Sequence, residues 1–320
     1  MAEYDALLLL SFGGPEGRDD VLPFLRNVVR GKNVPEERLR KVAEHYYRFG
    51  GVSPLNGENR RLLEALRTEI TLPLYWGNRN WHPLLEETME RMAADGVRRA
   101  LAFATAAYSS YSSCRQYLED IERARAAVGA RAPLVDKILP YFDHPGFIEA
   151  YRDRLTEALG ALAPDRRAEA ALLFSAHSIP LAMAEGCDYA QELESVMIRV
   201  ANGLPNSKQL VYQSRSGPEA QPWLEPDILD AISDLVRQGF REALVVPIGF
   251  VSEHLEVVYD LDYEAKREAA ELGLELSRAR TVSSHPRFVR MVRELVEESL
   301  RVPGRACDAG CCLIEYRNAR

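Results

Sequence analysis

Residues 242–266 read EALVVPIGFVSEHLEVVYDLDYEAK. Ala243, Leu244, Val245, Val246 and Ile248 form a short apolar run rich in β-branched residues, as a buried parallel strand requires. The run stops at Pro247-Ile248-Gly249-Phe250, and His254, Glu256, Asp260 and Glu264 follow. On an α-helix these three carboxylates share one face, about 6 Å apart per step at ~1.5 Å per residue. Like charges so placed destabilise a helix by a few tenths of a kcal/mol per pair, roughly 0.2–0.5. A row of them at the carboxyl end of a buried strand, where open α/β sheets bind ligands, points to a cation. A solvated acidic face is the plain alternative.

A second stretch weighs against that alternative. Residues 172–180, LLFSAHSIP, are another buried strand running into a polar loop, and His177 stands at its end. Imidazole from one strand end and carboxylates from another make a divalent-metal site.

These segments have counterparts in a known family. SAHSIP, YQSRSGP with WLEPDI, and GFVSEHLEVVYDLDYEA resemble the signature segments of ferrochelatases, which insert ferrous iron into a porphyrin; LLLLSFGGPE and GGVSPLNG resemble the same family. The segments occur in order over nearly the whole chain. The SFGGP variant, the acidic character and the cysteine-bearing tail look most like the actinobacterial enzymes that act on coproporphyrin III. The resemblance implies that His177 and Glu256 face each other at the macrocycle's centre as catalytic groups and iron ligands. It also implies that Asp260 and Glu264 form a metal or proton path, and that Ser53 and Tyr117 bind the porphyrin. Phe12 stands in the pocket where many coproporphyrin-type relatives carry an iron-ligating tyrosine, a role phenylalanine cannot fill. In the family the segment after Glu256 has wide helical turns, which would change the register of the acidic face.

The chain has 320 residues, a length suited to two α/β domains. The expected fold is two similar Rossmann-like, chelatase-type parallel sheets facing a cleft. The expected boundaries are 1–142, 143–284, and a C-terminal helix and cysteine tail, 285–320, packing back on the first domain. Residues 170–175 echo 6–11: an apolar strand, a serine, then a loop closed by proline. Further strands are expected at 72–77, 99–106, 136–140, 209–213 and 274–277. A net charge of −8 opposes non-specific binding to nucleic acid or anionic lipid. No apolar run approaches the ~20 residues of a membrane span. Five cysteines with no framework spacing suggest a reducing cytoplasm.

Two loops carry further candidates. SFGGPEG lacks the G-x-G-x-x-G spacing of a dinucleotide loop, so its glycines are read as letting a flat ligand approach the backbone. Residues 108–117, YSSYSSCRQY, interleave three tyrosines with serines, which suits a flat amphiphilic ring. Ser53 has a plainer role available as the cap of the following helix, and Tyr117 as half-buried packing.

The tail places Cys307, Cys311 and Cys312 within six residues. Soft thiolates select zinc or an iron–sulfur cluster. Some ferrochelatases hold a [2Fe-2S] cluster on one internal and three C-terminal cysteines, which implies Cys114 as the fourth ligand and leaves Cys187 out. Zinc, or free thiols on an unstructured tail, are the alternatives. The function expected is insertion of Fe²⁺ into coproporphyrin III by a monomer in contact with the next enzyme of haem synthesis. Alternatives are a protoporphyrin IX ferrochelatase, a haem or porphyrin carrier, and a cobalt or nickel chelatase for sirohydrochlorin-type rings.

Overall fold

The computed structural model describes residues 4–217, 220–302 and 311–312. Cys307 lies outside the described residues. In the first half, β1 (Ala6–Ser11) is followed by α1 (Val21–Val28), α2 (Glu36–Arg48) and α3 (Leu55–Arg67). Next come β2 (Leu74–Asn78), α4 (Leu85–Ala94), β3 (Arg99–Ala104), α5 (Gln116–Val128) and β4 (Leu134–Lys137). Helix α6 (Pro145–Ala161) leads into β5 (Ala171–His177), α7 (Leu181–Ala184), α8 (Tyr189–Val200), β6 (Lys208–Gln213) and α9 (Ile228–Arg237). Then follow β7 (Glu242–Val246), α10 (Leu255–Val257), α11 (Lys266–Glu271), β8 (Glu275–Arg278) and α12 (Pro286–Arg301).

The strands form two four-stranded sheets ordered β2-β1-β3-β4 and β6-β5-β7-β8. Every pairing is parallel. Strands β1 and β5, whose sequences echo each other, occupy the same place in their sheets. Their fully apolar runs fit this, because each is sandwiched on both faces and between two neighbours. The last strand of the first sheet is Leu134–Lys137, two residues earlier than the apolar pattern suggests. It is an edge strand that pairs only with β3; its Leu134 is exposed, and Asp136 is tied to Arg99 at 2.5 Å. Burial therefore did not shape its sequence.

One apolar core joins the halves. It contains Leu7, Leu9, Leu101 and Phe103 of the first sheet and Leu172, Phe174, Leu244 and Val246 of the second. Helices α3, α6, α8 and α12 fill the space between through Leu62, Leu66, Phe147, Tyr151, Leu193, Phe288 and Val292. Helix α12 packs along α6 and also against α3 and β3. His285 starts it by accepting the Arg287 N–H, with Pro286 in the first turn. Smaller cores lie on the outer face of each sheet.

Phe288 is fully buried and its ring meets Phe103, Tyr141 and Phe147. Truncating such a residue costs about 3–5 kcal/mol. Phe288→Ala should lower the urea midpoint, and far-ultraviolet circular dichroism and tryptophan fluorescence should still report one coincident transition. Two separated transitions would show that the halves do not share their core.

Candidate functional site

The loops after β1, β3, β5 and β7 all open on one side, at the carboxyl ends of both sheets. Between them lies a cleft of about 700 Å³. His177, the last residue of β5, reaches it from one strand end. Its Nδ1 is 2.5 Å from the Ser178 carbonyl, so Nδ1–H is the donor, and in the neutral ring Nε2 carries the lone pair. That Nε2 lies 3.7 Å from Glu256 Oε2, whose residue follows the β7 turn. The two groups therefore meet although 79 positions separate their numbers, 177 and 256. His254 caps α10 by accepting the Glu256 N–H on Nδ1 at 3.2 Å. Burial lowers the pKa of His254.

Behind Glu256 the helix widens into π turns over Val258–Ala265. The carboxylates thus follow an i→i+5 ladder rather than the simple α face. Asp260 turns to the end of β6, where the Ser214 hydroxyl donates to its Oδ2 and Gln213 Nε2 lies 3.3 Å away. Ser214 holds this position with a left-handed φ of 62°. Burial, opposed by these donors and aided by the charges of Glu256 and Glu264, pushes Asp260 up to about 7. Glu264 sits further out, where its charge acts on Tyr259 and on His45. The His45 ring stacks on Tyr259 at 3.9 Å. Glu256 thus lines the cleft, Asp260 lies against the end of β6, and Glu264 lies near His45 of α2.

The opposite wall belongs to the first half. Phe12 lines it and is 37% exposed, enough to meet a ligand, with its edge against Phe24. Ser53 is buried, lines the cleft, and lies 3.5 Å from the Leu55 N–H at the start of α3. The N-cap of α3 is Pro54, so Ser53 stands one residue before the cap and on the wall. Gly14 is needed beside it, since a Cβ there would stand 2.6 Å from Ser53 Cβ. Tyr117 is buried at the foot of the wall. Arg79, which no sequence motif marks, places its guanidinium 4.7 Å from the Tyr117 ring centre and 5.6 Å from that of Phe12. Asp120, equally buried, pairs with it. Arg30 and Lys32 stand exposed at the mouth. Trp223 contributes its indole to the cleft, and its buried Nε1 has no hydrogen-bond partner among the described residues.

The thiols form a separate group. Cys114 is buried in a π turn, Tyr111–Arg115, capped by Ser110. Cys312 is buried beside it, and a hydrogen bond to Cys114 is the main cause that raises the Cys312 thiol's pKa. Cys311 Sγ is 3.5 Å from Cys312 Sγ. Cys187, set aside by its place in the sequence, is half-buried, and Cys311 lies within electrostatic reach of it. Among the described residues no three histidine, cysteine or carboxylate side chains close around a point as a ready-made ion site.

The ferrochelatase family profile matches residues 4–300. The chain belongs to the ferrochelatase family. A ferrochelatase of Rhodopirellula baltica is 52% identical over 93% of this chain and 86% of its own. The coproporphyrin III ferrochelatase of Nocardia farcinica is 49% identical over 98% of both chains. That of Mycolicibacterium smegmatis is 49% identical over 93% of this chain and 90% of its own. Among solved structures, SirB from Bacillus subtilis with Fe³⁺ aligns with a TM-score of 0.59 at 12% identity, over 93% of this chain and 96% of that one. This places the ferrochelatase chain in the chelatase fold. Among the described residues no helix is long and apolar enough to cross a membrane.

The raised Asp260 has a stability consequence. Between its ordinary value of 3.8 and about 7, the folded protein holds a proton that the unfolded chain has released. Stability therefore falls as pH rises through that window. In metal-free protein, Asp260→Asn should raise the Tm at pH 8, with the gain shrinking towards pH 5. An equal shift at both pH values would show that Asp260 is not held protonated.

Proposed function

We propose that the chain inserts Fe²⁺ into coproporphyrin III, releasing two protons. The observation that carries this is the His177 Nε2–Glu256 Oε2 pair, 3.7 Å apart at the floor of a cleft walled by aromatic and hydroxyl side chains. Two pyrrole N–H protons must leave as iron enters, and iron must shed its water. The lone pair on Nε2 suits one proton, or the incoming metal; the carboxylate suits the other. Asp260, poised near neutral pH, takes a proton on from Glu256, and Glu264 continues the path outwards. Iron is a substrate here, so these ligands must release it to the ring.

The choice of ring rests on the wall. Coproporphyrin carries four propionates and protoporphyrin two. Ser53, Ser110 and Ser112 offer hydroxyls along the cleft, and Arg30 and Lys32 offer cations at its mouth. The coproporphyrin III ferrochelatases among its relatives support the same choice.

We further propose that Cys114, Cys307, Cys311 and Cys312 hold a [2Fe-2S] cluster. The meeting of buried Cys114 with Cys312, and of Cys312 with Cys311, fits a set of soft thiolate donors. When bound, such a cluster supplies one-electron chemistry and a covalent clamp on the tail. The chain's own residues do the rest: Ser110 fixes the turn that presents Cys114, and the Cys114 backbone N–H donates to the Ser110 carbonyl at 2.9 Å.

Iron insertion, followed by the shift of the porphyrin's visible bands, tests the first proposal. The kcat/KM should be at least tenfold higher with coproporphyrin III than with protoporphyrin IX, and sirohydrochlorin should be left unmetallated. His177→Ala should abolish insertion while porphyrin affinity stays within about threefold. Equal or higher kcat/KM with protoporphyrin would sink the choice of ring. Insertion at the wild-type rate by His177→Ala would remove the imidazole from the chemistry.

The thiol proposal has its own measurement. Protein purified without oxygen should be red-brown, and Cys114→Ser should bleach the colour and lower the Tm together. A colourless wild type carrying stoichiometric zinc would overturn it. Loss of colour in Cys187→Ser would reassign the ligand.

A further inference from the structure

One turn, residues 247–250, precedes Glu256 in the chain and packs against the end of β5 that bears His177, and that turn is tied to the other half of the molecule. Tyr108 comes from the loop after β3 and is only 2% exposed. Its hydroxyl donates to the Ile248 carbonyl at 2.9 Å, across 140 positions of sequence. Burial raises the phenol's pKa well above its ordinary value, so the donor stays protonated. The Tyr108 ring is gripped independently by Phe142, Phe147 and Tyr189, at 6.1, 6.1 and 5.9 Å.

From Ile248 the contacts run both ways. Gly249 N donates to the Ser175 carbonyl at 3.0 Å, and a Cβ on Gly249 would lie 2.5 Å from Ala176 Cβ, the residue before His177. Phe250 meets the His254 ring edge-on at 4.9 Å, and His254 accepts the Glu256 N–H. Tyr151 holds the same turn from the second half, through the carbonyls of Pro247 and Phe250. The loop that bears Tyr108 is itself fixed. Ser113 Oγ donates to the Tyr108 carbonyl at 2.7 Å, and Ser109 N donates to buried Glu192 at 2.6 Å.

We propose that Tyr108 is a positioning residue for metal insertion: its hydroxyl sets the seat of the 247–250 turn and, through it, the gap between His177 and Glu256. Tyr108 touches neither reacting group. It acts through backbone, and it is the polar link by which the first half's wall and the second half's chemistry hold a common registry at this turn. A gap of 3.7 Å is narrow enough that a small shift of the turn changes what can be bridged. The proposal rests on the insertion reading of the His177–Glu256 pair.

The test uses the full chain with Tyr108→Phe, which removes one oxygen and leaves the packed ring. The kcat for iron insertion into coproporphyrin III should fall about tenfold. The KM, and the porphyrin Kd from fluorescence quenching, should stay within twofold. A merely structural role would lower the Tm without this split. In a Glu256→Gln background the same change should cost less than twofold, because the group being positioned has already lost its charge. A Tyr108→Phe enzyme with kcat within twofold of wild type overturns the proposal, as does an undiminished tenfold loss in the Glu256→Gln background. If Tyr108→Phe does not fold, Ser113→Ala loosens the same loop; a kcat-only loss of about threefold is expected, and an unchanged kcat overturns the proposal. A wild type that inserts no iron would instead sink the insertion reading itself.

Discussion

Everything in this protein depends on two parallel sheets burying their inner faces in the same core. Leu7, Leu9 and Phe103 from one side and Leu172, Phe174 and Val246 from the other are sealed by α6 and α12. Burial at about 25 cal/mol per Å² of apolar surface makes that contact the dominant stabilising term. It also fixes direction. Both sheets present their carboxyl ends to one space, so loops from both halves must share it. Site geometry is therefore a by-product of core packing, refined by a few polar ties such as Ser109 to Glu192.

Much of this was legible from residues alone because burial writes a strong pattern. The strands at 6–11, 171–177 and 242–246 are continuous apolar runs, and continuous runs mean strands covered on both faces. His177 and Glu256 stand where such runs end. Strand β4 was misplaced by two residues because an exposed edge imposes no such pattern. Arg79 was invisible for a different reason. Its place in the cleft depends on Asp120, 41 positions away, and on two aromatic rings, Phe12 from the loop after β1 and Tyr117 from α5. Nothing in its local sequence marks that convergence. Cys187 likewise lies within electrostatic reach of Cys311, which its local sequence does not announce.

The acidic segment shows how backbone geometry and charge share one task. An α-helix would stack Glu256, Asp260 and Glu264 as near neighbours, with repulsion and no other contacts. Over Val258–Ala265 the π turns let Asp260 reach Ser214 and Gln213 at the end of β6. Those donors offset part of the cost of burying a carboxyl, and the remainder appears as a raised pKa. Ser214 accepts a left-handed backbone to make the contact, which for a non-glycine residue costs of order 1 kcal/mol. Local irregularity is thus concentrated where the chain buries a carboxyl group.

The shared core has a mechanical consequence as well. In a protein built of two separately cored lobes, a flat guest can be swallowed by a hinge that opens and shuts. Here opening a hinge would expose Phe147, Phe288 and their neighbours, which are fully buried. The cleft is thus formed by the fold itself, with no rearrangement of one half against the other needed to make it, and Arg30, Lys32 and Phe12 belong to its lining.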